Sequence, residues 1–218
     1  MVRLAKLLIS LAGLALIAMP AQAYEKGDWI FRAGAGMVDP QGTAASFTDD
    51  TDTLYIEVDS GSALTLTGAY FFSPNWSFEV LAASPFTHDV KLGLEGEGTA
   101  KIGEVRQLPP TFTFQYHFLP DGTFRPYVGL GLNWTTFFDE KLVSELSDQG
   151  LSLTVDDSFG AAVQVAADVA LGDKWLLNFD VRWIQLEADA NLSDGVDTET
   201  ISLDISPLVY SINLGYRF

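Results

Sequence analysis

The sequence predicts an all-β chain, an eight-stranded antiparallel transmembrane β-barrel with short periplasmic turns and long extracellular loops. Three observations carry that expectation. Segments of the chain alternate apolar and polar residues with period two. Their connections are by turns tight and long. The bulky apolar side chains share one face of each segment, and the opposite rows hold Gly, Thr, Asn, Gln and charges.

The segments follow in order. Trp29, Phe31, Ala33, Ala35 and Met37 oppose Arg32, Gly34 and Gly36, and Leu64, Leu66, Tyr70 and Phe72 oppose Thr65, Thr67 and Ala69. Trp76, Phe78, Val80 and Ala82 oppose Ser77, Glu79, Leu81 and Ala83. Phe112, Phe114, Tyr116 and Phe118 oppose Thr111, Thr113, Gln115 and His117. Phe124, Val128, Leu130, Leu132 and Trp134 oppose Arg125, Gly129, Gly131 and Asn133. Val163, Val165 and Val169 oppose Gln164 and Asp168, and Trp175, Leu177, Phe179, Val181 and Trp183 oppose Asn178, Asp180 and Arg182. The last segment ends the chain with Tyr210, Ile212, Leu214, Tyr216 and Phe218 on one side. Its apolar row includes the final residue because this strand closes the barrel against the first, and hydrocarbon tolerates no open edge.

Ser73-Pro74-Asn75, Leu119 to Thr123 and Gly172-Asp173-Lys174 are the tight turns, and the polar stretches 38–62, 84–107, 138–156 and 187–200 are the long loops. Ile201, Leu203 and Ile205 alternate in the other phase from Leu208, Tyr210 and Ile212, so a bulge near Ser206-Pro207 is expected to absorb the slip. A soluble barrel turns its large apolar groups inward. Eight strands enclose too narrow a lumen for these Trp and Phe side chains, so the aromatic rows face lipid.

Arg3 and Lys6 precede an apolar run from Leu7 to Met19 and an Ala21-Gln22-Ala23 site, the pattern of a cleaved secretory signal. Residues 1–23 are therefore expected to leave 24–218 as one barrel domain. The chain has no cysteine, which excludes disulfides and thiolate metal sites, and its formal charge of −17 argues against nucleic acid. Two histidines, His88 in a loop and His117 near a strand end, bring neither a nucleophile motif nor metal-ligand spacing, so no enzyme, metal or cofactor is expected.

EVLAASPF (79–86), LPPTFTFQYHF (108–118), FRPYVGLGLNWTTFFDE (124–140), DSFGAAVQVAADV (157–169) and LGYRF (214–218) resemble the OmpW family of small outer-membrane proteins along nearly the whole mature chain. The resemblance implies a narrow hydrophobic channel that passes small apolar molecules through the outer membrane. It maps two lining positions onto Leu81 and Phe159, the latter requiring a bulge near Gly160 because its parity is outward and Phe stands for the usual Trp. It also implies that the terminal aromatics, Tyr216 and Phe218, are read by the barrel-assembly machinery. Ala83 and Phe71 are further lining candidates.

From the parity alone, Arg32, Glu79, Arg125, Asp168, Asp180, Arg182 and Arg217 share one level near the periplasmic end. Paired there, they form either a plug or simply a polar core. Leu81 is likewise either channel lining or filler. A plugged lumen sends an apolar cargo sideways into the membrane. The competing function is a surface adhesin or structural barrel acting through its acidic loops, with Asp49, Asp50 and Asp52 in the first and Asp194, Asp197 and Glu199 in the last.

Overall fold

The computed structural model describes residues 22–48 and 53–218. The expected signal segment up to residue 21, and Asp49, Asp50 and Asp52, lie outside the described residues. In chain order the strands are β1 (Trp29–Asp39), β2 (Ala45–Thr48), β3 (Thr53–Val58), β4 (Gly61–Ser73), β5 (Trp76–Ala83), β6 (Phe86–Leu94), β7 (Gly98–Leu108) and β8 (Thr111–His117). After these come β9 (Phe124–Leu142), a short helix α1 (Ser144–Ser147), β10 (Ser152–Val155), β11 (Ser158–Ala170), β12 (Trp175–Ile184), β13 (Glu187–Ser193), β14 (Thr198–Asp204) and β15 (Leu208–Arg217).

Eight of these strands, β1, β4, β5, β8, β9, β11, β12 and β15, make a closed antiparallel ring. The seam joins β1 to β15 from Ile30–Arg217 to Asp39–Leu208. Beyond the ladder, Phe218 N–H donates to Trp29 O at 2.9 Å, and the Phe218 ring meets Phe31 edge-on at 5.6 Å. The last residue thus seals the edge that the alternation left to be explained. Close strand approach also selects glycine at Gly34, where a Cβ would stand 2.0 Å from Ile212 O.

Around the ring the two faces separate by chemistry. Trp29, Leu66, Phe114, Leu130, Trp175 and Leu214 project outward and stay exposed, whereas Thr65, Thr113, Gln115, Gln164 and Asn213 are buried inside. This is the inside-out pattern of a barrel in lipid.

The four expected long loops are largely strand. β2 with β3, β6 with β7, the top of β9, and β10 with β13 and β14 carry the wall upward as paired hairpins. Here the faces exchange chemistry. Ile56, Phe86, Ala188, Ala190, Leu203 and Ile205 are buried inside, while Asp59, Lys91, Asp89 and Lys101 pair on the outside, at 2.6 Å for Lys91–Asp59 and for Lys101–Asp89. Charged pairs on the outer surface place this upper wall above the hydrocarbon. Its buried residues form one apolar cluster. The polar outer residues are what make these segments read as loops in the sequence.

The expected bulge near Ser206-Pro207 is absent. Trp183 pairs with Leu208 and Glu187 with Asp204, four residues further along on each strand, so nothing is inserted. Leu203, Ile205, Pro207, Val209, Ser211 and Asn213 all point inward on one unbroken parity. Ser206 takes a positive φ of 30° without shifting the register. The apparent slip was the change of chemistry between belt and upper wall.

Candidate functional site

The lumen has a polar floor and an apolar cup above it. The floor begins with Arg32 on β1, whose Nε and Nη2 donate to the two Asp168 oxygens at 3.1 and 2.6 Å. Its Nη1 donates to Glu79 Oε2 at 3.0 Å. Arg182 Nη2 donates to Glu79 Oε1 at 2.9 Å and to Asp180 Oδ2 at 3.4 Å. Two guanidinium groups therefore bind three carboxylates, and all five side chains are buried. Arginine suits this place because its planar fork engages a carboxylate with two donors.

Carboxylates only accept, and that fixes the direction of the amide chain beside them. Gln164 Nε2 donates to Asp180 and Glu79, so its Oε1 accepts from Gln115 Nε2 at 2.9 Å. Gln115 Oε1 in turn accepts the Ser77 hydroxyl at 2.8 Å, and His117 Nε2 lies 3.0 Å from Ser77 Oγ. Ser77 has spent its proton on Gln115, so His117 donates to it and does not act as its base. This buried serine and histidine do not make an activated nucleophile. Gly129 leaves the space Gln164 occupies, since a Cβ there would stand 2.6 Å from Gln164 Oε1.

On the other side of Asp168, Asn178 Nδ2 donates to Asp168 Oδ1 and to Tyr127 Oη, both at 2.9 Å. Asn213 Nδ2 donates to Asn178 Oδ1 at 2.9 Å, and Thr65 Oγ1 to Asn213 Oδ1 at 2.7 Å. Below the network Tyr24 is buried, its hydroxyl donating to Asp168 Oδ2 at 2.8 Å.

The seven charges expected on one level divide in two. Arg32, Glu79, Asp168, Asp180 and Arg182 come together. Arg125 and Arg217 lie beneath them at the rim. Arg125 stands over the Tyr24 ring at 4.2 Å, and Arg217 pairs with Asp28 at 2.9 Å. The parity of these two was legible, but their partners Tyr24 and Asp28 lie on the segment that leads into β1. That entering segment, with Tyr24, was the part sequence reasoning missed. Gln164, Gln115, Asn178 and Asn213 had inward parity as their only signal.

The lining candidates also separate. Leu81 is inward and buried, between Thr67 and Thr111 in the pairing register, and Ala83 packs against the apolar cup. Phe71 is inward but belongs to the underside of the floor, 4.5 Å from the Tyr24 ring and 4.7 Å from His117. Phe159 is corrected: it points outward, 75% exposed, stacked on Trp134 at 5.8 Å. The β9–β11 register runs unbroken from Ser158–Thr135 to Val169–Phe124, so no bulge at Gly160 turns it inward. His88 is corrected as well, from loop to a buried position in β6.

Above the floor the cup encloses a cavity of about 110 Å³ walled by Val38, Ile56, Val90, Val105, Phe137 and Leu203 among others. Among the described residues no group of three or more His, Cys, Asp or Glu side chains is arranged for a metal. The acidic last hairpin is locally occupied: Asp194 Oδ1 accepts the Val196 and Asp197 N–H groups at 2.9 and 2.8 Å, which pulls the Asp194 carboxyl below its ordinary pKa.

A barrel of this form with this sequence has known relatives. The sequence profile of the OmpW family matches residues 25–218. The chain belongs to the OmpW family. It is 42% identical over 216 residues to Outer membrane protein W of Vibrio cholerae, covering 96% of this chain and 99% of that one. It is 36% identical over 211 residues to Outer membrane protein W of Escherichia coli, covering 96% and 97%. The crystal structure of OprG from Pseudomonas aeruginosa superposes with a TM-score of 0.82 at 34% identity, covering 91% of this chain and 99% of that one. This OmpW-family chain is accordingly an outer-membrane β-barrel, its aromatic rows set in membrane lipid. Its architecture is consistent with passage of small hydrophobic molecules.

Proposed function

We propose that the barrel admits small apolar molecules from outside into the cup, stops them at the charged floor, and releases them sideways into the membrane. The observation that carries this reading is the single inward row of β12 and β13. It runs Asn178, Asp180, Arg182 and then Ile184, Leu186, Ala188 and Ala190, all buried. An apolar cup standing directly on a buried ion-pair network accepts apolar solutes and leaves polar ones no continuous path.

A break in the wall supports the sideways exit. The β5–β8 ladder stops at Leu81–Thr111, and pairing resumes between β6 and β7 at Phe86–Gln107. Ser84-Pro85 and Pro109-Pro110 occupy the gap, and proline has no N–H to bridge it. Leu81 sits at the level of the break. The terminal aromatics Tyr216 and Phe218, packed edge-on at 4.8 Å on the outer rim, are available to the assembly machinery. Deleting Phe218 should reduce membrane assembly, and normal assembly would contradict that role.

The test of transport is Leu81→Asp. A carboxylate there meets a desolvated passage, and any water it recruits disfavours apolar cargo. In vesicles with a lipopolysaccharide outer leaflet, equal amounts of folded barrel should show lowered apolar uptake for Leu81→Asp and near-normal uptake for Leu81→Ile. Unchanged uptake by the Asp variant contradicts the pathway.

A further inference from the structure

The cup is apolar except for one polar pair. Among the described residues that wall its cavity, only His88 and Gln107 carry polar side chains, and both are more than nine-tenths buried. They sit on paired strands, β6 and β7, two residues apart in the register and so on the same face. Their seat is built to fit. At Gly61 a Cβ would stand 2.8 Å from His88 Cε1 and 2.7 Å from Thr87 O, so only glycine leaves room for the ring. Phe86 lies roughly parallel to that ring, 6.4 Å away.

The protons in this pair can be assigned by elimination. His88 Nδ1 is 2.7 Å from Asp59 O, and a carbonyl oxygen only accepts, so Nδ1 carries the hydrogen. Burial lowers the His88 pKa from its ordinary value, which keeps the ring neutral at pH 7.5. Nε2 is then a lone pair. Gln107 Nε2, 2.9 Å away, must donate to it. That orientation leaves Gln107 Oε1 as the free end of the amide, and no donor among the described residues reaches it. Gln107 lines the cavity, and an entering O–H group would give this acceptor its donor.

We propose that the cup selects apolar molecules bearing one hydroxyl, alcohols or phenols, with the hydroxyl donating to Gln107 Oε1 and the apolar body filling the cavity. This rests on the reading of the cup as the entry for apolar cargo and names the chemistry it selects. The size agrees: at roughly 10–15 Å³ per water on the same measure, a cavity of about 110 Å³ takes a body of about ten heavy atoms.

The experiment titrates folded barrel in detergent at pH 7.5 with 1-octanol, 2-octanone and n-nonane, three ligands of equal heavy-atom count. Each displaces an apolar fluorescent probe, with correction for partition into micelles. The alcohol should bind about fivefold tighter than the ketone, which has no O–H to give Gln107 Oε1. Equal binding of alcohol and ketone by the wild type overturns this inference and leaves the apolar channel standing. Failure of all three, n-nonane included, overturns the apolar cup and this inference with it. A double variant, His88→Phe with Gln107→Met, removes both acceptors and should bring the alcohol-to-ketone ratio to about one. A preference that survives in it overturns the assignment to this pair.

Discussion

The membrane belt and the extracellular cup are continuous stretches of the same strands, yet they solve opposite problems. In the belt the outer face meets hydrocarbon, so Leu130 and Phe114 point outward and Glu79 and Asp180 point inward. In the cup the outer face meets water, so Lys91 and Asp59 pair outside while Ile56 and Leu203 are buried within. Side-chain parity never changes along β12 and β13 or along β14 and β15. Only the chemistry assigned to each face is exchanged. In this barrel the boundary of the membrane is written as an inversion of polarity at constant register.

The largest effect is expected where the belt's inward face is broken. Glu79 holds both Arg32 and Arg182, and Glu79→Ala takes one carboxylate from each, leaving Arg32 with Asp168 and Arg182 with only the longer 3.4 Å contact to Asp180. Losing one partner of a buried ion pair costs about 3–5 kcal/mol. Urea unfolding in detergent should show a loss of that order, and an unchanged midpoint would mean the network is solvated. Next comes the outer face. Leu130→Arg, 68% exposed at mid-belt, should cost about 2–4 kcal/mol in lipid, whereas Val196→Arg at the tip of the last hairpin should stay within about 0.5 kcal/mol. Equal costs would erase the distinction between belt and cup.

Much of the belt was legible because lipid demands a strong signal. Aromatic and aliphatic rows alternate there with Gly, Thr and charges, and all eight wall strands stand out. The cup was not. Its inward residues include small ones such as Ala188 and Ala190, and its outward residues are those of any loop. Phase reversal at Ile205 to Leu208 therefore read as a slipped register. Leu81 and the charges of the floor followed from parity. Phe159 did not follow from a family pattern, because an unbroken ladder to β9 holds it outward. Tyr24 was hidden for another reason: it precedes the first strand, so no periodicity bears on it.

The smallest effect is expected within the cup. Burial sets the His88 pKa below the ordinary 6.5, so the imidazole favours the neutral form in the folded cup. As pH falls below about 6.5, the opened cup takes up the proton first, and cup stability declines; above that range it is flat. Amide hydrogen exchange in β6 and β7 should therefore quicken from pH 7.5 to pH 5 beyond its intrinsic pH dependence, and His88→Gln should remove the excess. Acceleration of the belt amides instead would place the titration in the wrong region.

An apolar entry standing on a sealed polar floor should show in two permeabilities of the wild-type barrel, measured in the same vesicles. With a lipopolysaccharide outer leaflet resisting apolar entry, the barrel should speed uptake of an apolar tracer severalfold and leave potassium and chloride flux at the level of protein-free vesicles. Ion flux rising together with tracer uptake would mean an open aqueous pore and would contradict the account.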